Sequence, residues 1–162
     1  MSSLTKYRKL SAITVFAVAF GYIESAVVVY LRELYYPNGF IVPFSIGFPF
    51  IRFGASPFLA AIPQKIMLIE VFREAATIIL LGAAAFLAGK SFKERLAFFL
   101  WPFAVWDIFY YVFLRLTIGW PQSLNTPDVL FLIPVPWIAP VWMPLAGSAA
   151  MIAASATLLR KL

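Results

Sequence analysis

The chain has 162 residues, of which 63% are hydrophobic and only 12% are charged. Soluble domains carry about 25% charged residues, so this composition predicts an integral membrane protein and excludes an ordinary soluble one. Cysteine and histidine are both absent, which excludes disulfides, thiol chemistry and the zinc or haem sites that need these ligands. The net charge is +6, but the basic residues lie where a membrane topology requires them, and we predict no nucleic-acid partner.

Four apolar segments are each long enough to cross a bilayer. A helix of 22 residues is about 33 Å long, which spans the hydrocarbon core. We predict transmembrane helices over residues 10–31, 66–88, 96–117 and 141–159. Lys6, Arg8 and Lys9 precede the first segment as in a signal peptide, but this apolar run is too long and lacks a clean cleavage site, so we predict a retained span.

Two further apolar segments contain too many prolines for a continuous helix. Residues 40–64 hold four prolines and two glycines, and residues 129–140 hold three prolines. Irregular backbone exposed to lipid leaves its N–H and C=O groups unpaired, so we predict that both segments are interfacial or re-entrant, as loops or short helices. The sequence Thr126-Pro127-Asp128 predicts a helix N-cap with proline at the first helical position.

The positions of the basic residues predict the orientation. Eight of the thirteen lysines and arginines lie near the two termini or between the second and third spans, whereas residues 119–128 contain none. Basic residues mark the cytoplasmic side, so we predict a multi-pass protein with both termini cytoplasmic and both proline-rich segments outside. We expect a prokaryotic plasma membrane. The fold class predicted for residues 1–162 is one all-α membrane domain, a four-transmembrane-helix bundle.

The fourth predicted span carries small residues at a spacing that favours close helix packing. Ala146, Ala150 and Ala154 lie four residues apart, and small residues at this spacing let helix backbones approach closely. This face either packs inside the bundle or forms a homodimer contact. We predict the lipid bilayer as a partner, together with a second copy of the chain or other membrane subunits.

Ionisable residues inside the predicted spans indicate a candidate site, because such groups face protein or water rather than lipid. On the second span, acidic and basic residues share one helical face at i, i+3 and i+4 spacing. On the third span, an acid, a tyrosine and an arginine follow at i, i+4 and i+8. The predicted ligand- or ion-binding residues, in the outer half of the bundle, are Glu24, Glu70, Arg73, Glu74, Asp107, Tyr111 and Arg115.

The charge balance of this region favours a structural role. Outside the cytoplasmic regions, and leaving out Asp128 as a loop residue, the acids are Glu24, Glu33, Glu70, Glu74 and Asp107, and the bases are Arg32, Arg52, Lys65, Arg73 and Arg115. Five against five is the balance expected of ion pairs that join helices. A cation site would show an excess of acids, and an anion site an excess of bases.

Three function classes remain open. We favour a small subunit or accessory protein of a larger membrane assembly, which accounts for the charge balance and the small size. The alternatives are a small oligomeric ion- or proton-coupled transporter or channel that uses Glu24, Glu70 or Asp107, and a membrane-embedded enzyme acting on a lipid or lipid-linked substrate. We predict no cofactor, catalytic set or metal centre, although clustered carboxylates can hold a hard cation through their oxygens.

Overall fold

The computed structural model describes residues 3–42, 52–53 and 57–161. Its elements, in chain order, are α1 (Ser3–Tyr35), β1 (Arg52–Phe53), a 3₁₀ helix (Pro57–Ala61), α2 (Gln64–Ala88), α3 (Phe92–Ile118), β2 (Pro127–Phe131), β3 (Trp137–Pro140) and α4 (Trp142–Arg160). Residues 43–51 and 54–56 lie outside the described residues. The prediction for residues 40–64 therefore has no structural counterpart over that part of its length.

In the described part of the chain, four helices are long and apolar enough to cross a membrane. They coincide with the four predicted spans, but α1 and α3 begin earlier than their apolar cores. At α3 the reason is a cap. The Ser91 hydroxyl accepts the Glu94 N–H at 3.3 Å, and the Glu94 carboxylate accepts the Lys90 N–H at 2.6 Å. The helix ends at Gly119, whose φ of 68° is the left-handed conformation that favours glycine.

Helix α3 lies at the centre and packs against the other three helices. Trp101 Nε1 donates to Thr14 Oγ1 at 2.9 Å, and the rings of Tyr22 and Phe113 meet edge to face. Both sequence numbers increase together along the contact, so α1 and α3 run parallel. At Gly21 the helices approach so closely that a Cβ atom would lie 3.0 Å from a backbone oxygen of α3.

Helix α4 runs antiparallel to α3. Ser148 Oγ donates to Asp107 Oδ2 at 2.6 Å, and Ser155 Oγ donates to the Ala97 carbonyl at 2.8 Å. The apolar clusters place α2 antiparallel to α3 as well. The four helices therefore alternate in direction, and both termini lie at the same end as the α2–α3 connection.

The packing face of α4 differs from the predicted alanine face. Ser148 and Ser155 are buried against α3, whereas Ala146, Ala150 and Ala154 are exposed. The alanines therefore do not pack inside this bundle. A homodimer contact through them stays a prediction.

The two connections at the other end of the bundle are joined by a small antiparallel sheet of order β1-β3-β2. Ile138 of β3 pairs with Arg52 on one side and with Val129 on the other. We call this end of the bundle the sheet end. The positions of the basic residues predict that this end faces the outside.

Two predictions for this region were wrong. Thr126-Pro127-Asp128 does not begin a helix, because Pro127 opens strand β2, and residues 129–140 contribute to two strands rather than only to a loop or short helices. That this segment is interfacial or re-entrant stays a prediction. Branched and aromatic residues favour strands, and a proline is accepted at a strand's first residue. Pro127 and Asp128 pair with Pro140 and Ala139 of β3, so this segment forms a strand and not the helix that the N-cap pattern predicts.

Candidate functional site

A partly enclosed cavity of about 110 Å³ lies between α1, α2, α3 and β2 at the sheet end. A cavity of this size has room for several water molecules or a small organic group. Helices α1 and α2 make few close backbone approaches to each other, which leaves this space between them. Six of the seven predicted site residues line it, namely Glu24, Glu70, Arg73, Glu74, Asp107 and Tyr111.

One guanidinium group joins α1 to α2 across the cavity. Arg73 Nη1 donates to Glu24 Oε2, and Arg73 Nε donates to Glu70 Oε2 at 2.7 Å. The side chains of Glu24 and Glu70 are only 12% and 9% exposed. Thr77 Oγ1 donates to the Arg73 carbonyl one turn further along α2. Two largely buried carboxylates therefore share one cation.

Glu74 and Asp107 accept hydrogen bonds from neutral groups. The Leu132 N–H donates to Glu74 Oε2 at 2.8 Å, and the Ser148 hydroxyl donates to Asp107 Oδ2 at 2.6 Å. Neither carboxylate forms an ion pair with any residue that the structure describes. Their hydrogen-bond donors among the described residues are therefore neutral groups.

A second ion pair closes the cavity at the sheet. Arg32 Nη2 lies 3.2 Å from Asp128 Oδ1, and these residues are only 7% and 1% exposed. The hydroxyls of Tyr111 and Tyr110 donate to Asp128 Oδ2 at 3.2 and 3.4 Å. Burial raises the pKa of Asp128, and the positive charge of Arg32 opposes that shift. Treating Asp128 as a solvated loop residue was therefore wrong, because β2 carries its side chain into the bundle.

The guanidinium group of Arg32 contacts two aromatic rings, which meet edge to face. Its guanidinium carbon lies 4.1 Å from the centre of the Phe40 ring and 3.8 Å from that of Trp120. Arg32 Nε and Nη1 are buried with no acceptor among the described residues, and the same holds for Trp106 Nε1, which also belongs to the cavity wall. Buried donors without an acceptor are rare in folded proteins.

Arg115 does not belong to the cavity. It is exposed at the end of α3, where its Nη1 donates to the carbonyls of Gly119 and Pro121. It therefore satisfies carbonyls of the cap residue and the loop that follow α3. The predicted ladder of Asp107, Tyr111 and Arg115 reaches the cavity only through its first two members.

Several residues of the cavity wall were missed as site residues from the sequence, among them Arg32, Trp106, Tyr110 and Asp128. Arg32 lies one residue beyond the first predicted span and was counted only in the charge balance, and Asp128 was left out of that balance as a loop residue. The clearest signal was the sequence after Asp128, where branched and aromatic residues between prolines are typical of strands.

Among the described residues, the cavity wall carries five carboxylates, Glu24, Glu70, Glu74, Asp107 and Asp128, and two guanidinium groups, Arg32 and Arg73. With every group ionised, the wall has three negative charges more than positive ones. The balance predicted from the sequence does not describe the cavity, since Lys65 and Arg115 are exposed elsewhere. In the part of the chain that is described, no three carboxylates converge as a metal site would require.

The fold and the cavity define a helical bundle whose four long helices are apolar enough to cross a membrane, with a charged cavity between three of them. Four helices of this length and apolar composition are typical of a multi-pass membrane protein. In comparisons with protein-family models, curated proteins and solved structures, nothing matches the chain.

Proposed function

We propose that the protein is a small membrane carrier that binds a ligand with a cationic group, and exchanges it for protons, in the cavity at the sheet end. The observation that supports this function is the excess of five carboxylates over two guanidinium groups on the cavity wall. An ionised carboxylate without a counter-charge inside a bundle costs several kcal/mol. A bound cation or a bound proton removes that cost.

Protons and the ligand cation would be coupled because they compete for the same two carboxylates. Glu74 and Asp107 have only neutral hydrogen-bond donors in the described structure, so either a proton or a ligand cation can neutralise them. A cation that binds to these carboxylates lowers their affinity for protons, and by reciprocity protons lower their affinity for the cation. A proton gradient across the membrane therefore drives the cation in the opposite direction.

The other two function classes stay predictions. The equal count of acids and bases favoured a subunit of a larger assembly, and that count does not hold within the cavity. Native mass spectrometry of the protein, gently extracted from its own membrane, tests the subunit class directly. Recovery of the chain in a stable complex with other polypeptides would support it.

Tracer uptake into vesicles tests the proposed carrier. The purified full chain is reconstituted, and uptake of labelled ethanolamine and choline is measured with and without an opposing proton gradient, with protein-free vesicles as background. We expect saturable uptake that the proton gradient accelerates for at least one of these two cations. The double variant Glu74→Gln/Asp107→Asn should lose most of it.

A matched control separates the cavity from general effects of charge. Glu33→Gln removes a carboxylate from an exposed position near the end of α1, and we expect uptake by this variant to equal that of the wild type. If neither cation is taken up above background, or if the double variant transports as well as Glu33→Gln, the proposed function is wrong.

A further inference from the structure

We propose that the ligand of this cavity is a zwitterion, whose anionic oxygen group binds Arg32 while its ammonium group lies against the carboxylates of α2 and α3. This inference rests on the proposed function and names its substrate class. It comes from a separate observation, the unpaired buried N–H donors at the sheet side of the cavity.

Arg32 is prepared to bind an acceptor. The side chain is 8% exposed, its guanidinium carbon lies 4.1 and 3.8 Å from the centres of the Phe40 and Trp120 rings, and only Nη2 has a hydrogen-bond partner among the described residues. Nε and Nη1 therefore hold hydrogens that neither solvent nor a described acceptor satisfies. Charged N–H donors form their strongest hydrogen bonds with anionic oxygens.

The existing counter-ion of Arg32 does not satisfy these donors. Asp128 uses Oδ1 for Arg32 Nη2, and its Oδ2 accepts the hydroxyls of Tyr110 and Tyr111. Trp106 Nε1, on the same cavity wall, is a further buried donor without a described acceptor. An oxygen-rich group beside Arg32 would satisfy its Nε and Nη1, whereas Trp106 directly precedes Asp107 on α3 and offers its donor at that deeper level.

The deeper end of the cavity carries carboxylates that have no cationic partner within ion-pair distance among the described residues. Asp107 lies four residues before Tyr111 on α3, which is about 6 Å along the helix axis, and it has no cationic partner among the described residues. Glu74 from α2 is in the same state. The Arg32 donors near the sheet and the Asp107 carboxylate one turn deeper therefore match a small molecule with an anionic and an ammonium group a few bonds apart.

Two sources supply this chemistry, a free amino acid and the phosphodiester headgroup of an aminolipid. Calorimetric titration of the detergent-solubilised full chain distinguishes them, with glycine and β-alanine as the free zwitterions and glycerophosphoethanolamine as the headgroup. Ethanolamine serves as the cation alone, and acetate as the anion alone. Vesicles with and without phosphatidylethanolamine then show whether the intact lipid competes for the site.

We expect at least one zwitterion to bind at least tenfold more tightly than ethanolamine, and acetate to bind more weakly still. Arg32→Gln should remove this tenfold preference and leave ethanolamine affinity within about threefold, the range of a single lost neutral contact. Because Arg32→Gln leaves Asp128 buried without its cation, the neutral pair Arg32→Gln/Asp128→Asn is tested beside it. Arg115→Gln, which removes an exposed guanidinium group outside the cavity, should bind like the wild type.

The outcomes separate the two proposals. If ethanolamine binds and every zwitterion binds no more tightly, the zwitterion assignment is wrong and the carrier proposal stands. If the preference for a zwitterion survives in both Arg32 variants, Arg32 is not its anion site and the assignment is wrong. If neither ethanolamine nor any zwitterion binds, and no tracer is taken up, both proposals fail.

Discussion

Replacing Arg73 by glutamine removes the cation that two carboxylates share. Arg73 is 24% exposed in its side chain, and it bonds to Glu24 of α1 and Glu70 of α2. Glutamine preserves some of the hydrogen-bonding capacity and most of the volume, so the change isolates the charge. We expect Arg73→Gln to destabilise the bundle more than the loss of either carboxylate alone, because Glu70→Gln leaves Arg73 paired with Glu24.

The size of the effect follows from two bounds. Breaking a buried ion pair by removing one partner costs about 3–5 kcal/mol. An uncompensated carboxylate can instead take up a proton, which for a group of ordinary pKa costs about 3.7 kcal/mol at pH 7 and about 1 kcal/mol at pH 5. We therefore expect Arg73→Gln to lose about 3–5 kcal/mol of unfolding free energy at pH 7. At pH 5 the loss should be no more than about 2 kcal/mol, because each of the two carboxylates can take up a proton at a cost of about 1 kcal/mol.

Denaturation by SDS titration in mixed micelles, at pH 7 and pH 5, measures both values. Lys65→Gln is the matched control, since Lys65 is an exposed cation on the same helix. The triple variant Glu24→Gln/Glu70→Gln/Arg73→Gln should regain most of the lost stability, because it removes the two carboxylates that Arg73→Gln leaves without their cation. Equal stability of Arg73→Gln and Lys65→Gln at pH 7, or a loss that does not change between the two pH values, would refute this account of the shared cation.

Two further predictions concern the helix packing and the topology. Gly21→Ala should lower the unfolding free energy by about 1–3 kcal/mol, because its Cβ would meet the backbone of α3 at 3.0 Å. Gly82→Ala, with open space around its Cβ, should be neutral or stabilising by up to about 1 kcal/mol. Thermal unfolding of both variants measures the difference, and equal losses would contradict the close approach of α1 and α3. Ser91 and Ser123 lie at opposite ends of the bundle, so single cysteines at these positions should be accessible to a membrane-impermeant maleimide from opposite sides of the membrane. In intact cells the reagent should therefore label only one of the two, and labelling of both from outside would contradict four crossing helices.

The four long helices could be predicted from the sequence because length and apolar composition suffice to define such elements. The ends of these helices could not be predicted as precisely as their existence. For example, α3 begins at a cap formed by Ser91 and Glu94, before its first apolar run. The face formed by Glu70, Arg73 and Glu74 could also be predicted, because helical spacing alone determines which residues of one helix lie together.

Contacts between distant segments explain most of what could not be predicted. Strand β3 exists between β1 and β2, which come from different connections, and no local pattern at residues 137–140 indicates those partners. Asp128 enters the bundle for the same reason, since the sheet carries it there. Arg115 shows the opposite case, because its spacing from Asp107 fits the helical face but its flexible side chain reaches to the carbonyls of Gly119 and Pro121 beyond the end of α3.

The Arg32–Asp128 pair has a consequence for the order in which the protein is made. The two residues are 96 positions apart in the chain, and at about 5–20 residues per second the ribosome needs about 5–20 s to add that length. During this interval α1 is complete while the carboxylate that pairs with Arg32 does not yet exist. Arg73 follows Glu24 by 49 positions, so α1 gains its deeper partner first and its partner in the sheet only when nearly the whole chain has been synthesised.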